Sequence, residues 1–118
     1  MNSWLHARAT AKKWDVKPED VIAVHEFIDG SKKAFGDVRH RALLHNTWGV
    51  WVAQEVFGRV LTIERESGKI VEIPVREIAE QHILEDLGRI PDVGDWLENM
   101  TVQLWMSGPQ HKIVTALK

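Results

Sequence analysis

Two places in this 118-residue chain set a histidine and an aspartate four positions apart, His25 with Asp29 and His82 with Asp86. Residues four apart share one helical face, so on helices each pair aims an imidazole and a carboxylate the same way. These are the donors that Zn²⁺, Mn²⁺ or Fe²⁺ takes in sites that keep open positions. A third stretch adds Asp37, Arg41 and His45 at successive spacings of four, with Arg39 and His40 beside them. Brought together, His25, His45 and His82 would be metal ligands, with His40 as the substitute for His45. Asp86 or Asp29 would complete the shell or orient a ligand histidine. Glu85 would act as general base toward a coordinated water. Arg39 or Arg41 would hold a substrate phosphate. The corresponding chemistry is metal-assisted hydrolysis of a small phosphorylated molecule.

The spacing is not a signature motif. No HExxH is present, no Glu-x-x-His, and no adjacent His-Asp pair; His25-Glu26 is the nearest match to the last. No GxSxG elbow or glycine-rich phosphate loop occurs, and Ser31 and Ser67 have no activating neighbours in sequence. The same residues also fit a structural polar network, with Asp29 and Asp86 paired to Lys33, Arg39, Arg41 or Arg76, because buried charges need partners. They fit a metal-free ligand pocket as well. A reading from a different class is a non-catalytic interaction protein, for example an accessory factor. It would act through exposed apolar surface near Trp105 and the hairpin edge.

The elements that must position these residues follow from periodicity. Residues 37–57 read as one central helix, capped by Asp37 and stopped by Gly58. It is apolar on nearly every side, so other elements should cover it. Trp48 and Trp51 belong to its core in this reading, and Trp51→Ala would then cost about 3–5 kcal/mol. A first helix over about 3–14 has Ser3 as its cap and a stripe of Trp4, Ala7, Ala11 and Trp14, with His6 mostly off it. A second spans 18–33 from Pro18, with a break after Asp29 allowed by Gly30. After Gly58 the period changes to 2, and residues 60–63 and 70–73 flank Glu66-Ser67-Gly68-Lys69, a β-hairpin signal. A helix over 75–87 ends at Gly88, and Asp92 caps a short one ending near 100. In the tail from 101 to 118, Val102, Leu104 and Met106 alternate with Gln103 and Trp105 and would add a strand, which Gly108-Pro109 breaks early. The expected fold is therefore mainly α, with four to five helices around the 37–57 helix and one hairpin at about 59–73. The alternative is an α+β fold with a third strand from the tail.

Composition sets the frame. The length suits one domain, 1–118, with a core that needs no staples. There is no cysteine, hence no disulfide and no thiolate site. Net charge is −2, from 15 basic and 17 acidic residues, which provides no chain-wide drive toward nucleic acid or anionic membrane. No apolar run reaches the roughly 20 residues of a membrane span, and the N-terminus lacks a secretion signal, so a cytoplasmic protein is expected. The six tryptophans and absent tyrosine are unusual. Tryptophan serves cores and interfaces alike, so a homodimer is compatible; the partner, protein or small molecule, stays open.

The phrases HEFIDGSKKAFGDVRHRALLHNTWGVWVAQEVFG, GKIVEIPVREIAEQH and ILEDLGRIPDVGDWL resemble a family of small bacterial and bacteriophage proteins, a domain of unknown function. The resemblance runs from Trp4 to about Trp105. It implies a cytoplasmic protein and supplies no activity, so the site residues rest on their chemistry alone.

Overall fold

A computed structural model of the chain describes residues 1–109. Helix α1 (Ser3–Trp14) starts at Asn2, whose side chain accepts from the Leu5 amide. Ser3, the cap expected from sequence, instead turns its hydroxyl inward. A left-handed Asp15 ends the helix. Helix α2 (Pro18–Asp29) begins on Pro18 and gives way at Gly30 to a 3-10 turn, Gly30–Lys33.

The expected 37–57 helix is broken. Residues Val38–His40 form a 3-10 turn and Arg41–Leu44 a single helical turn, α3. His45 then leaves the helical region at φ −84°, ψ 62°, and Asn46 caps a fresh helix, α4 (Thr47–Phe57). The Asn46 side chain accepts from the Gly49 amide at 2.7 Å and donates to the Ala42 carbonyl at 2.7 Å. One amide group thus ties off both helical pieces. At Gly49 a Cβ would fall 1.8 Å from the Leu44 carbonyl oxygen, so only glycine admits this approach.

Strands β1 (Val60–Glu64) and β2 (Ile70–Pro74) pair antiparallel, with Leu61 opposite Ile73 and Ile63 opposite Val71. These four side chains face the core while Thr62 and Glu72 face outward. Helix α5 (Val75–Leu87) follows β2 directly and stops at the left-handed Gly88. A capping box of Asp92 and Asp95 opens α6 (Val93–Leu97), and residues Leu104–Ser107 make a 3-10 turn rather than a strand. Among the described residues the sheet is two-stranded, so the mainly α expectation with one short hairpin holds. The expected tail strand at 102–106 is therefore absent among the described residues, and the chain beyond 109 lies outside them.

The core lies where α2 meets α1, α4 and α5, so α2 holds the central place that the sequence reading gave to 37–57. Val21, Val24 and Ile28 of α2 pack with Ala7, Ala53, Ile73, Ile78, Ala79 and Ile83. The interior is filled by alanines and branched aliphatics, which let helices approach closely. The tryptophans do not enter it. Trp48 and Trp51 are 53% and 50% exposed and stack on each other, with ring centroids 4.9 Å apart. Trp4 and Trp105 are also exposed, and Trp14 and Trp96 are half-buried. This corrects the expectation of core tryptophans at Trp4, Trp48 and Trp51, whereas Trp14 packs against the core and Trp105 is exposed as expected. No helix among the described residues is long and apolar enough to cross a membrane.

Candidate metal centre

The polar interior sits beside that core, where α1, α2, α5 and the His40–His45 segment converge. The two i,i+4 pairs face each other across it, His25 and Asp29 from α2, His82 and Asp86 from α5. His6, His25, His45 and His82 are all fully buried.

Four atoms converge most closely. His82 Nε2 lies 3.1 Å from Asp29 Oδ1 and 3.3 Å from Asp86 Oδ2. His45 Nε2 lies 3.0 Å from Asp86 Oδ2 and 3.6 Å from Asp29 Oδ1. His45 reaches them because the helix breaks at that residue. A continuous helix would carry it on around the axis.

A surrounding layer orients these groups. Ser3 Oγ donates to Asp29 Oδ2 at 2.9 Å. His82 Nδ1 meets His25 Nδ1 at 2.9 Å, and His25 Nε2 meets Thr10 Oγ1 at 2.8 Å. Thr10 in turn contacts the His6 carbonyl and Gln81 Oε1, each at 3.1 Å. His6 bridges Glu85 Oε1 at 2.7 Å and Asp86 Oδ1 at 3.1 Å, and its ring stacks on His82 at 3.8 Å. Arg41 comes within 4.0 Å of Asp86, and Lys32 within 3.9 Å of Asp29. His45 Nδ1 is the one buried side-chain nitrogen or oxygen without a hydrogen-bond partner among the described residues.

Electrostatics keep His25 and His45 neutral and Asp29 and Asp86 charged. Burial, helped by the neighbouring His82 and His6, lowers His25 to about 3. Burial and His82 lower His45 to about 4, against the pull of Asp86. Burial raises Asp29, but the His82 hydrogen bond and charge, with Ser3, outweigh it and hold the carboxyl well below its ordinary value. Asp86 is lowered too, as His6 and His82 overcome its burial. Neutral imidazole and ionised carboxylate are the forms that bind a cation.

The structure places each residue singled out from sequence. His25, His45, His82 and Asp86 meet in one buried cluster, together with Asp29. His40 lies outside it, hydrogen-bonded through Nδ1 to Ser31 Oγ at 2.8 Å, its ring edge-on to His45. Burial and the charges of Lys32 and Arg41 lower its pKa. Glu85 is at the surface, its carboxylate held on His6 rather than facing the four converging atoms. Arg41 borders the cluster. Arg39 is exposed and forked onto Asp37, at 2.8 Å from Nη2. His6, Ser3 and Thr10 were missed. They share the α1 face of Ala7 and Ala11, at the spacing 3, 6, 7, 10, 11, which competes in sequence with the equally helical stripe of Trp4, Ala7, Ala11 and Trp14.

The fold and the site define a small, mainly α protein with a buried histidine–aspartate cluster. Its side chains form two groups able to hold a metal ion, Asp29-His45-His82-Asp86 and His6-His25-His82. A family model for a domain of unknown function, DUF6915, matches residues 1–106, and the chain belongs to that family. No curated protein and no solved structure matches it.

Proposed function

We propose that the protein binds one divalent metal ion through Asp29 Oδ1, His45 Nε2, His82 Nε2 and Asp86 Oδ2. The observation that carries this reading is their spacing, 3.0–3.6 Å between each histidine nitrogen and each carboxylate oxygen. A tetrahedron with bonds of about 2.0–2.1 Å has edges of about 3.3–3.4 Å. The surrounding layer supports it. With His82 Nε2 unprotonated, Nδ1–H donates to His25 Nδ1, His25 Nε2–H donates to Thr10 Oγ1, and the Thr10 hydroxyl donates onward to Gln81. Ligand histidines are characteristically held this way through their second nitrogen. His25 is then an orienting group one step behind the ion.

Two nitrogens and two carboxylate oxygens suit Zn²⁺, Mn²⁺ or Fe²⁺. The narrower reading is a phosphohydrolase-like enzyme. There the ion supplies Lewis-acid activation of a phosphate ester. Arg41, 4.0 Å from Asp86, would meet the phosphate, and Glu85, hydrogen-bonded to His6 at 2.7 Å, would act on the centre through that ring. Four protein ligands complete a tetrahedral zinc site, so catalysis calls for an ion of higher coordination number such as Mn²⁺ or Fe²⁺.

The alternative is a non-catalytic accessory protein that acts by protein–protein interaction, its histidine–aspartate cluster purely structural. The exposed, stacked Trp48–Trp51 pair favours it, because such aromatic surface is characteristic of interface hot spots. Elemental analysis of protein purified without a histidine tag separates the two. The metal reading expects one ion per chain, lost in His82→Ala and Asp86→Asn, and a melting temperature that falls on chelation. Metal-free protein indifferent to both chelator and added Zn²⁺, Mn²⁺ and Fe²⁺ would leave the accessory reading standing.

A further inference from the structure

A second feature lies beside His40, the histidine that stays outside the cluster. The 34–43 segment, α6 and Met100 enclose a cleft of about 470 Å³, within the range of small-molecule sites. Its apolar walls are Phe35, Leu43, Trp96 and Met100, and its polar lining is Arg39 and His40.

Trp96 and His40 are held in place. The Trp96 indole N–H donates to the His45 carbonyl at 3.1 Å. The Asp92–Asp95 capping box, with contacts of 2.7 and 2.9 Å, holds α6, and the Thr47 amide donates to the Pro91 carbonyl at 2.9 Å just before it. Ser31 pins His40 through Nδ1. His40 Nε2 makes no hydrogen bond, yet it is not among the sealed polar atoms, where His45 Nδ1 stands alone. It therefore opens to solvent, and the cleft is what His40 lines.

The charge at this end is positive. Arg39 lines the cleft with its guanidinium 4.8 Å from the centre of the Phe35 ring. Lys32 and Arg41 are the strongest charges acting on His40, ahead of Asp29 and Asp86. A mostly apolar slot with a fixed imidazole and cations at one end matches a molecule with a flat apolar body and an anionic head.

We propose that this cleft binds a small aryl anion, a ring carrying a phosphate or carboxylate. The ring lies among Phe35, Leu43, Trp96 and Met100. The head accepts from His40 Nε2–H, in the tautomer where the Ser31 hydroxyl donates to Nδ1 at 2.8 Å, and from Arg39, which exchanges its Asp37 partner for the ligand. Binding needs no ion at the histidine–aspartate cluster.

The test is titration of the full chain, metal-free and Zn²⁺-loaded, with phenyl phosphate, benzoate, benzyl alcohol and inorganic phosphate. It is followed through the Trp96 indole N–H and the His40 ring signals by NMR. Phenyl phosphate or benzoate should shift both signals, and whichever binds more tightly identifies the head group. Benzyl alcohol and inorganic phosphate, each lacking one half of the recognition, should bind about tenfold or more weakly. Arg39→Ala should weaken binding by about tenfold, and Leu43→Glu, an exposed position that leaves the fold intact, should abolish it. Equal affinity for all four probes, shifts confined to Trp48 and Trp51, or full binding by Leu43→Glu would overturn the proposal. The titration reads binding in metal-free protein, so its failure is distinct from a failure to find metal.

Discussion

His25 and His82 are chemically alike and 2.9 Å apart, yet the structure gives them different work. His82 presents Nε2 to two carboxylates, whereas both His25 nitrogens are used on His82 and Thr10. Substitution should separate the roles. His82→Ala should lose bound metal altogether. His25→Gln should keep one ion per chain while weakening affinity by about 10–100-fold, the usual effect of removing an orienting partner. Isothermal titration with Zn²⁺ reads both, and equal loss in the two variants would return His25 to the ligand set. At this scale the sequence was legible where a single helix relates two residues. His25–Asp29 and His82–Asp86 each sit on one face as their spacing requires. His6 was not legible, because nothing in α1 alone says that its histidine edge faces inward rather than the edge with Trp4.

At the scale of elements, the break at His45 and Asn46 is what admits His45 to the cluster. Its signals are local, Asn46 as a cap and Gly49 three residues later, but the apolar run on both sides concealed them. Gly49→Ala should destabilise the protein by about 3 kcal/mol or more, because the added methyl meets a backbone carbonyl that the Asn46 bonds hold in place. Asn46→Ala should cost about 1–2 kcal/mol, with the loss of a cap. Urea denaturation measures both, and a Gly49→Ala midpoint close to wild type would mean that 41–57 tolerates a continuous helix. The hairpin, the helix ending at Gly88 and the stop at Gly58 were readable, since the period switches from 3.6 to 2 and back at glycine or proline.

At the scale of the whole molecule, core volume and buried charge decide stability. Trp51 stacks on Trp48 at the surface instead of filling the interior. Trp51→Ala should therefore cost about 1 kcal/mol or less, not the loss expected of a core tryptophan. A large fall in melting temperature would place it back in the core. The buried histidines make stability depend on pH. Folding lowers His25 to about 3 and His45 to about 4, below the ordinary 6.5, so between these values the unfolded chain binds more protons. The metal-free protein should be most stable above about pH 6.5 and lose stability steadily as pH falls through 4 toward 3, with Asp29 and Asp86 adding to the loss at the acid end. Urea midpoints at pH 7.5, 6, 5 and 4 give the profile, and a flat one would show that these imidazoles are not buried in neutral form.

The sequence by itself determined what repeats along one segment, namely the helices and hairpin, their glycine, proline and aspartate boundaries, and the pairing of His25 with Asp29 and of His82 with Asp86. Spacing along a helix specifies angles about its own axis, and those angles survive folding. Only the tertiary structure decided which way each helix turns, and so brought His6, Ser3 and Thr10 inside, left the tryptophans at the rim and broke the 37–57 stretch. Close approach of α1, α2 and α5 is possible over Ala7, Ala11 and Ala79 but not over an indole. The face that packs is thus chosen by fit between helices, which no single helix encodes.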